Sequence, residues 1–167
     1  MPTVTHAERT FKTSIDIPEK RRAELIELLN ARLADSTDLK TQTKHAHWNV
    51  KGPNFIQLHE LFDDIAPHFD DYADLLAERA VQLGGVANGT LREAASASSI
   101  PEYDLNAVSG TEHVKALVKN IAKFATLVRE AIDKSDDLED KDTADIFTEI
   151  SRQTDKDLWF LEAHVQA

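Results

Sequence analysis

The sequence contains no cysteine. That absence removes disulfide scaffolds, thiolate metal sites and cysteine nucleophiles from consideration. No apolar run is long enough to span a bilayer, and the N-terminus has no secretory apolar core. Basic residues are outnumbered: 19 Lys and Arg stand against 30 Asp and Glu, a formal charge of −11. This balance disfavours a protein built mainly to grip nucleic acid. Glycine and proline are sparse, five of each in 167 residues, and they fall mostly between periodic segments. What remains is a chain long enough for one domain with a proper core. A cytoplasmic address fits, with nucleoid association as a variant of it.

The periodic segments are all helical, and the sequence holds no strand signal or internal repeat. A first helix is expected from Asp16-Ile17-Pro18, with an apolar stripe through Leu25, Leu29 and Leu33. Its second half, from Ser36 to Thr43, is more polar than a core helix should be. Asn49, Gly52 and Pro53 end it. A second helix spans about Asn54 to Leu83, with Phe55, Leu58, Phe62, Ile65, Phe69, Tyr72, Leu76 and Leu83 in one stripe. Pro67 inside that stripe predicts a kink. Gly84 to Gly110 reads as a connection, with a short helix at 91–98. Ser109 and Glu112 have capping-box spacing for a third long helix. An acidic turn at Ser135 to Asp142 leads to a fourth. Short outer turns and one long middle connection predict an all-α, ferritin-like four-helix bundle with one crossover. Residues 1–16 are expected to be a flexible N-terminal tail and 17–167 the bundle.

The second helix also carries a pattern of metal-ligating types. His59 and Asp63 are four apart, as are Asp74 and Glu78, so each pair shares a helix face. Asp63 and Asp74 are eleven apart, nearly three whole turns, so all four lie on one stripe. Within one helix the pairs are roughly 16 Å apart, too far to bind one ion. An antiparallel second copy closes the gap, because His59 with Glu78 and Asp63 with Asp74 both add to 137. One two-fold axis near His68 and Phe69 therefore assembles both sites of a dimer. His47, just before the Asn49–Pro53 turn, is placed by that hairpin to join His59. Two imidazoles and three carboxylates suit iron, manganese or zinc.

The segment Lys44-His45-Ala46-His47-Trp48-Asn49-Val50-Lys51-Gly52-Pro53-Asn54-Phe55, continuing through His59-Glu60-Leu61-Phe62-Asp63, resembles the Dps mini-ferritins, DNA-protecting proteins of starved cells. So do Ala77-Glu78-Arg79-Ala80-Val81-Gln82-Leu83-Gly84-Gly85 and the ending Asp155 to Glu162. The resemblance covers nearly all of the chain beyond residue 20. It implies a homo-dodecamer that oxidises Fe(II), preferably with hydrogen peroxide, and stores ferric mineral inside. In that family the counterparts of His47, His59 and Asp63 come from one subunit, and those of Asp74 and Glu78 from its two-fold mate. Asp63 and Glu78 would hold the tighter iron, and Glu78 would bridge towards a second. His47 and His59 would bind as neutral imidazoles, so acid should weaken binding. Asp74 would be a ligand or would orient one. Trp48 is a candidate sacrificial electron donor.

The same resemblance makes Asp142, Asp145 and Glu149 candidates for an acidic iron-uptake pore, although carboxylates are also favoured at any helix N-terminus. His45 and His68 are further histidines near the expected site. The alternative function is a DNA-compacting shell with a structural or slow metal site. Against it, the segment Met1 to Asp16 offers Arg9 and Lys12 against Glu8 and Asp16, so counterion release contributes little per subunit.

Overall fold

The structure, a computed structural model, describes residues 9–166. Residues 1–8 of the expected tail therefore lie outside the described residues. Five helices follow: α1 (Glu19–Asn49), α2 (Phe55–Gln82), α3 (Leu91–Ala97), α4 (Gly110–Asp137) and α5 (Lys141–Glu162). Among the described residues there is no strand beyond one isolated bridge between Lys51 and Ser109. No described helix is long and apolar enough to cross a membrane.

Side-chain pairs give the helix directions. Lys40 meets Asp70 and Lys44 meets Asp63, so α1 and α2 run antiparallel. Glu24 meets Lys134 and Gln42 meets Asn120, so α1 and α4 are antiparallel too. Helices α2 and α4 are therefore parallel, as the long crossover requires. The pairs His68–Asp157 and Arg79–Thr143 set α5 antiparallel to α2. The core between them is built from Phe62, Phe69, Phe124 and Phe147, all fully buried, with the Phe69 and Phe124 rings edge-to-face at 5.8 Å.

The polar half of α1 has a physical reason. It packs against the crossover, whose backbone lacks partners of its own and must find them in side chains. Asp35, fully buried, accepts from the Ser99 backbone N–H at 2.7 Å and pairs with Arg32 at 2.7 Å. Gln42 and Asn120 both donate to the Pro101 carbonyl, and Asn120 also donates to Gln42. Polar residues are needed there because the neighbour is a loop.

Several boundaries differ from expectation. The acidic turn shrinks to 138–140, because α4 continues to Asp137 and α5 begins at Lys141. Asp140 caps α5 by accepting from the Thr143 N–H. The capping box of Ser109 and Glu112 forms as the spacing predicts. Helix α2 stays one helix through Pro67. Phe55 is not core: it is 43% exposed and leans on the His59 ring at 5.1 Å.

Gly84 ends α2 with φ +90°, and its carbonyl accepts from the Phe11 N–H at 2.7 Å. A Cβ there would lie 2.4 Å from the Phe11 carbonyl oxygen. Gly84→Ala is therefore expected to lower stability by at least about 1–2 kcal/mol, the cost of a left-handed L-residue alone. The thermal unfolding midpoint of the purified protein checks this.

Candidate metal centre

The hairpin of α1 and α2 brings the ends of two helices side by side, and with them two imidazoles. His47, 8% exposed, and His59, half-buried, stack at 3.8 Å with planes 21° apart. Each Nδ1 reaches the other residue's backbone carbonyl, at 2.7 Å for His47 and 2.8 Å for His59. A carbonyl only accepts, so each Nδ1 must carry its proton. Both Nε2 atoms are left as free lone pairs, the form a metal ligand needs. Two rings lock each other into the binding tautomer.

Asp63 stands one turn beyond His59, with its carboxylate 3.9 Å from His47 Nε2. Lys44 donates to that carboxylate at 2.5 Å. This hydrogen bond holds the Asp63 carboxyl below the usual carboxylate range, against partial desolvation and with help from the Lys44 charge. The oxygen that faces the imidazoles is thus already ionised and already answered by a cation. An incoming ion must displace an ammonium rather than a proton.

Asp74 and Glu78 lie farther along α2 and are exposed. The structure does not bring them to His47, His59 and Asp63 within one chain. Among the described residues, no three His, Asp or Glu side chains close on one point. The face they share is nonetheless ordered. Its residues are Ile56, His59, Asp63, Pro67, Asp70, Asp74, Glu78 and Val81, spaced 3, 4, 4, 3, 4, 4, 3. The spacing reads the same in both directions. All are exposed except half-buried His59, and at the ends Ile56 and Val81 are apolar, 52% and 55% exposed. An antiparallel copy would set Ile56 on Val81, His59 on Glu78, Asp63 on Asp74 and Pro67 on Asp70.

Comparison with known proteins places this geometry. A ferritin-like domain matches residues 26–167. The DNA protection during starvation protein of Agrobacterium fabrum is 46% identical over 158 residues, covering 95% of this chain and 98% of that protein. The chain belongs to the Dps family of ferritin-like proteins. Among solved structures, Mycobacterium smegmatis Dps in its tetragonal form superimposes with a TM-score of 0.90 at 30% identity. It covers 94% of this chain and 96% of that one. Dps from Microbacterium arborescens, described as a high iron form, gives a TM-score of 0.84 at 33% identity, over 94% and 100% of the two chains.

Within this Dps chain the remaining candidates separate. Trp48 is 67% exposed, with the Lys44 ammonium 5.7 Å from its ring centroid. His45 points away from His47, its ring edge-on to Tyr103 at 5.2 Å. His68 is engaged within its own chain. It lies near the midpoint of the α2 stripe in sequence, but faces α5 and bonds to Asp157 at 3.0 Å. The stripe's middle residues are Pro67 and Asp70. Asp142, Asp145 and Glu149 are exposed along the start of α5. Sequence reasoning missed two residues. Lys44 is one turn before His47, and only the hairpin register shows that it reaches Asp63. Arg79, next to Glu78, is buried and donates to Thr143 and to both oxygens of Asp140.

Proposed function

We propose that this protein is a ferroxidase and iron store, and that its reactive site is shared between two chains. The observation that carries this reading is the reciprocal locking of His47 and His59, which presents two Nε2 lone pairs beside the ionised Asp63. Asp74 and Glu78 of a second copy complete the ligand set through the palindromic α2 face. Fe(II) is the substrate, and hydrogen peroxide is its preferred oxidant. Two Fe(II) supply the two electrons that reduce one peroxide to water, so no hydroxyl radical is released. The site's few protein ligands leave coordination positions open to solvent or oxidant. Twelve chains close a cytoplasmic shell in which ferric mineral collects, with Asp142, Asp145 and Glu149 lining a route for iron.

Stacking the two α2 faces sets Asp63 opposite Asp74, carboxylate against carboxylate. Cation binding relieves that repulsion, so metal and dimer stabilise each other. The Agrobacterium relative is named for DNA protection. Removing iron and peroxide together protects DNA without contact, which suits a chain of net charge −11.

The test is anaerobic mixing of the assembled protein with Fe(II), followed by hydrogen peroxide. Ferric absorbance should rise much faster than in buffer, and the iron should stay in solution. A rate equal to buffer would overturn the reading.

A further inference from the structure

Behind the helix end that carries His47 and Trp48 lies a buried pair that the iron chemistry above does not use. Tyr103, on the crossover, is 7% exposed, and His113, in the first turn of α4, is fully buried. The Tyr103 hydroxyl and His113 Nδ1 are 2.7 Å apart, and the two rings stack at 6.1 Å. Burial raises the Tyr103 phenol well above its ordinary range, with Asp104 acting the same way. Burial lowers His113, as does the neighbouring His45. A neutral phenol therefore donates to a neutral imidazole. The other ring nitrogen, Nε2, is turned toward the Asn49 carbonyl but makes no well-formed hydrogen bond. With Nδ1 accepting from the phenol, Nε2 carries the ring's proton and faces that carbonyl as a donor, and the contact strengthens once the ring is charged.

We propose that Tyr103 and His113 form a second redox centre, which supplies an electron when the shared site holds only one iron. The proposal rests on the ferroxidase reading above. One Fe(II) gives peroxide a single electron, and O–O cleavage would then release a hydroxyl radical. Tyr103 gives the second electron, and its phenolic proton passes to His113 Nδ1. Peroxide takes up these two electrons and two protons from solvent and leaves as two waters. Fe(III), a neutral tyrosyl radical and a protonated His113 remain. The phenol cannot ionise alone in its buried setting, so its electron leaves readily only if a base in contact takes the proton. His113 is that base. The path is short. The His45 ring touches Tyr103, and His45 and His47 share α1, so the electron crosses on the order of one helix thickness, about 10–12 Å. Trp48 is the competing donor, but the Lys44 ammonium over its ring opposes removal of an electron.

The experiment is rapid-freeze electron paramagnetic resonance of the assembled protein, mixed with one Fe(II) per site and then one equivalent of peroxide. A tyrosyl signal should appear that narrows when the protein is grown on ring-deuterated tyrosine. The signal should vanish in Tyr103→Phe and persist in Tyr72→Phe, the chain's other tyrosine. His113→Gln keeps an acceptor for the phenol but no base, and it should lose most of the signal. Tyr103→Phe should also release several-fold more spin-trapped hydroxyl radical at this low iron loading. If iron is oxidised but no signal narrows in the deuterated wild-type protein, this inference alone is overturned. A signal that survives Tyr103→Phe, or is unchanged in His113→Gln, overturns it as well. If iron is not oxidised at all, the ferroxidase reading fails and the inference falls with it.

Discussion

Asp63→Ala and Glu78→Ala are each expected to abolish fast Fe(II) oxidation, and a shell assembled from both should recover part of it. In the proposed site, Asp63 comes from one chain and Glu78 from its mate. Either substitution alone therefore damages every site of a uniform shell. The loss should be at least about 10–100-fold, the range seen even for residues that only support a ligand. In a mixed dimer the two defects fall together in one site, and the other site receives an intact Asp63 and an intact Glu78. Random pairing of equal amounts makes half of the dimers mixed, each with one good site, so about a quarter of all sites should work. Stopped-flow rates of a co-refolded mixture, with mixed dimers verified by mass, check this number. Recovery near zero would mean that each chain builds its site alone. Recovery near one half would mean that the ligand sets are not divided as drawn.

The residues behind that prediction were legible in the sequence to different depths. Helical period alone puts His59, Asp63, Asp74 and Glu78 on one face, and the structure leaves that face exposed. The number of helices, the crossover and the Ser109 capping box follow from the same local rules, because each depends on residues a few positions apart. What could not be read was set by long-range register. Lys44 and Asp63 are nineteen positions apart, and nothing in either helix's pattern says that the ammonium reaches the carboxylate. The mutual tautomer lock of His47 and His59 depends on each ring reaching the other's carbonyl across the hairpin. The polar second half of α1 looked anomalous because its partner is loop backbone, which has no periodicity to recognise. His68 lies near the stripe's midpoint along the helix but is rotated toward α5, where it bonds to Asp157. Two residues further on, Asp70 has the stripe's orientation. His68 does not.

Arg79→Met is expected to cost about 3–5 kcal/mol of stability, the toll of leaving a buried charge without its partner. Arg79 is 6% exposed and Asp140 is 3% exposed. The guanidinium meets both carboxylate oxygens, at 2.9 and 3.0 Å, and its Nε donates to the Thr143 hydroxyl at 3.0 Å. Burial alone would raise the Asp140 carboxyl, but hydrogen bonds from Thr143 and Arg79 hold it below its ordinary range. The sign of the pH dependence follows. A depressed carboxylate stabilises the fold above its unfolded pKa, and that contribution is lost as pH falls through the folded value. In Arg79→Met only the Thr143 hydrogen bonds still oppose burial, so the carboxyl sits higher than in wild type and the variant loses less stability as the proton is taken up. The gap between wild type and variant should therefore narrow as pH drops below the usual carboxylate range. Pairing the change with Asp140→Ser keeps an N-cap for α5 and removes the orphaned charge, so the double variant should recover most of the loss. Thermal or urea unfolding at two pH values reads all three proteins, and a double variant no more stable than Arg79→Met would exclude the orphaned charge as the cause. The effect also reaches the proposed metal centre. Glu78 precedes Arg79 on α2, and the Arg79–Asp140 pair fixes that end of the helix to the α4–α5 turn. The pair thereby sets where Glu78 stands when a second chain arrives.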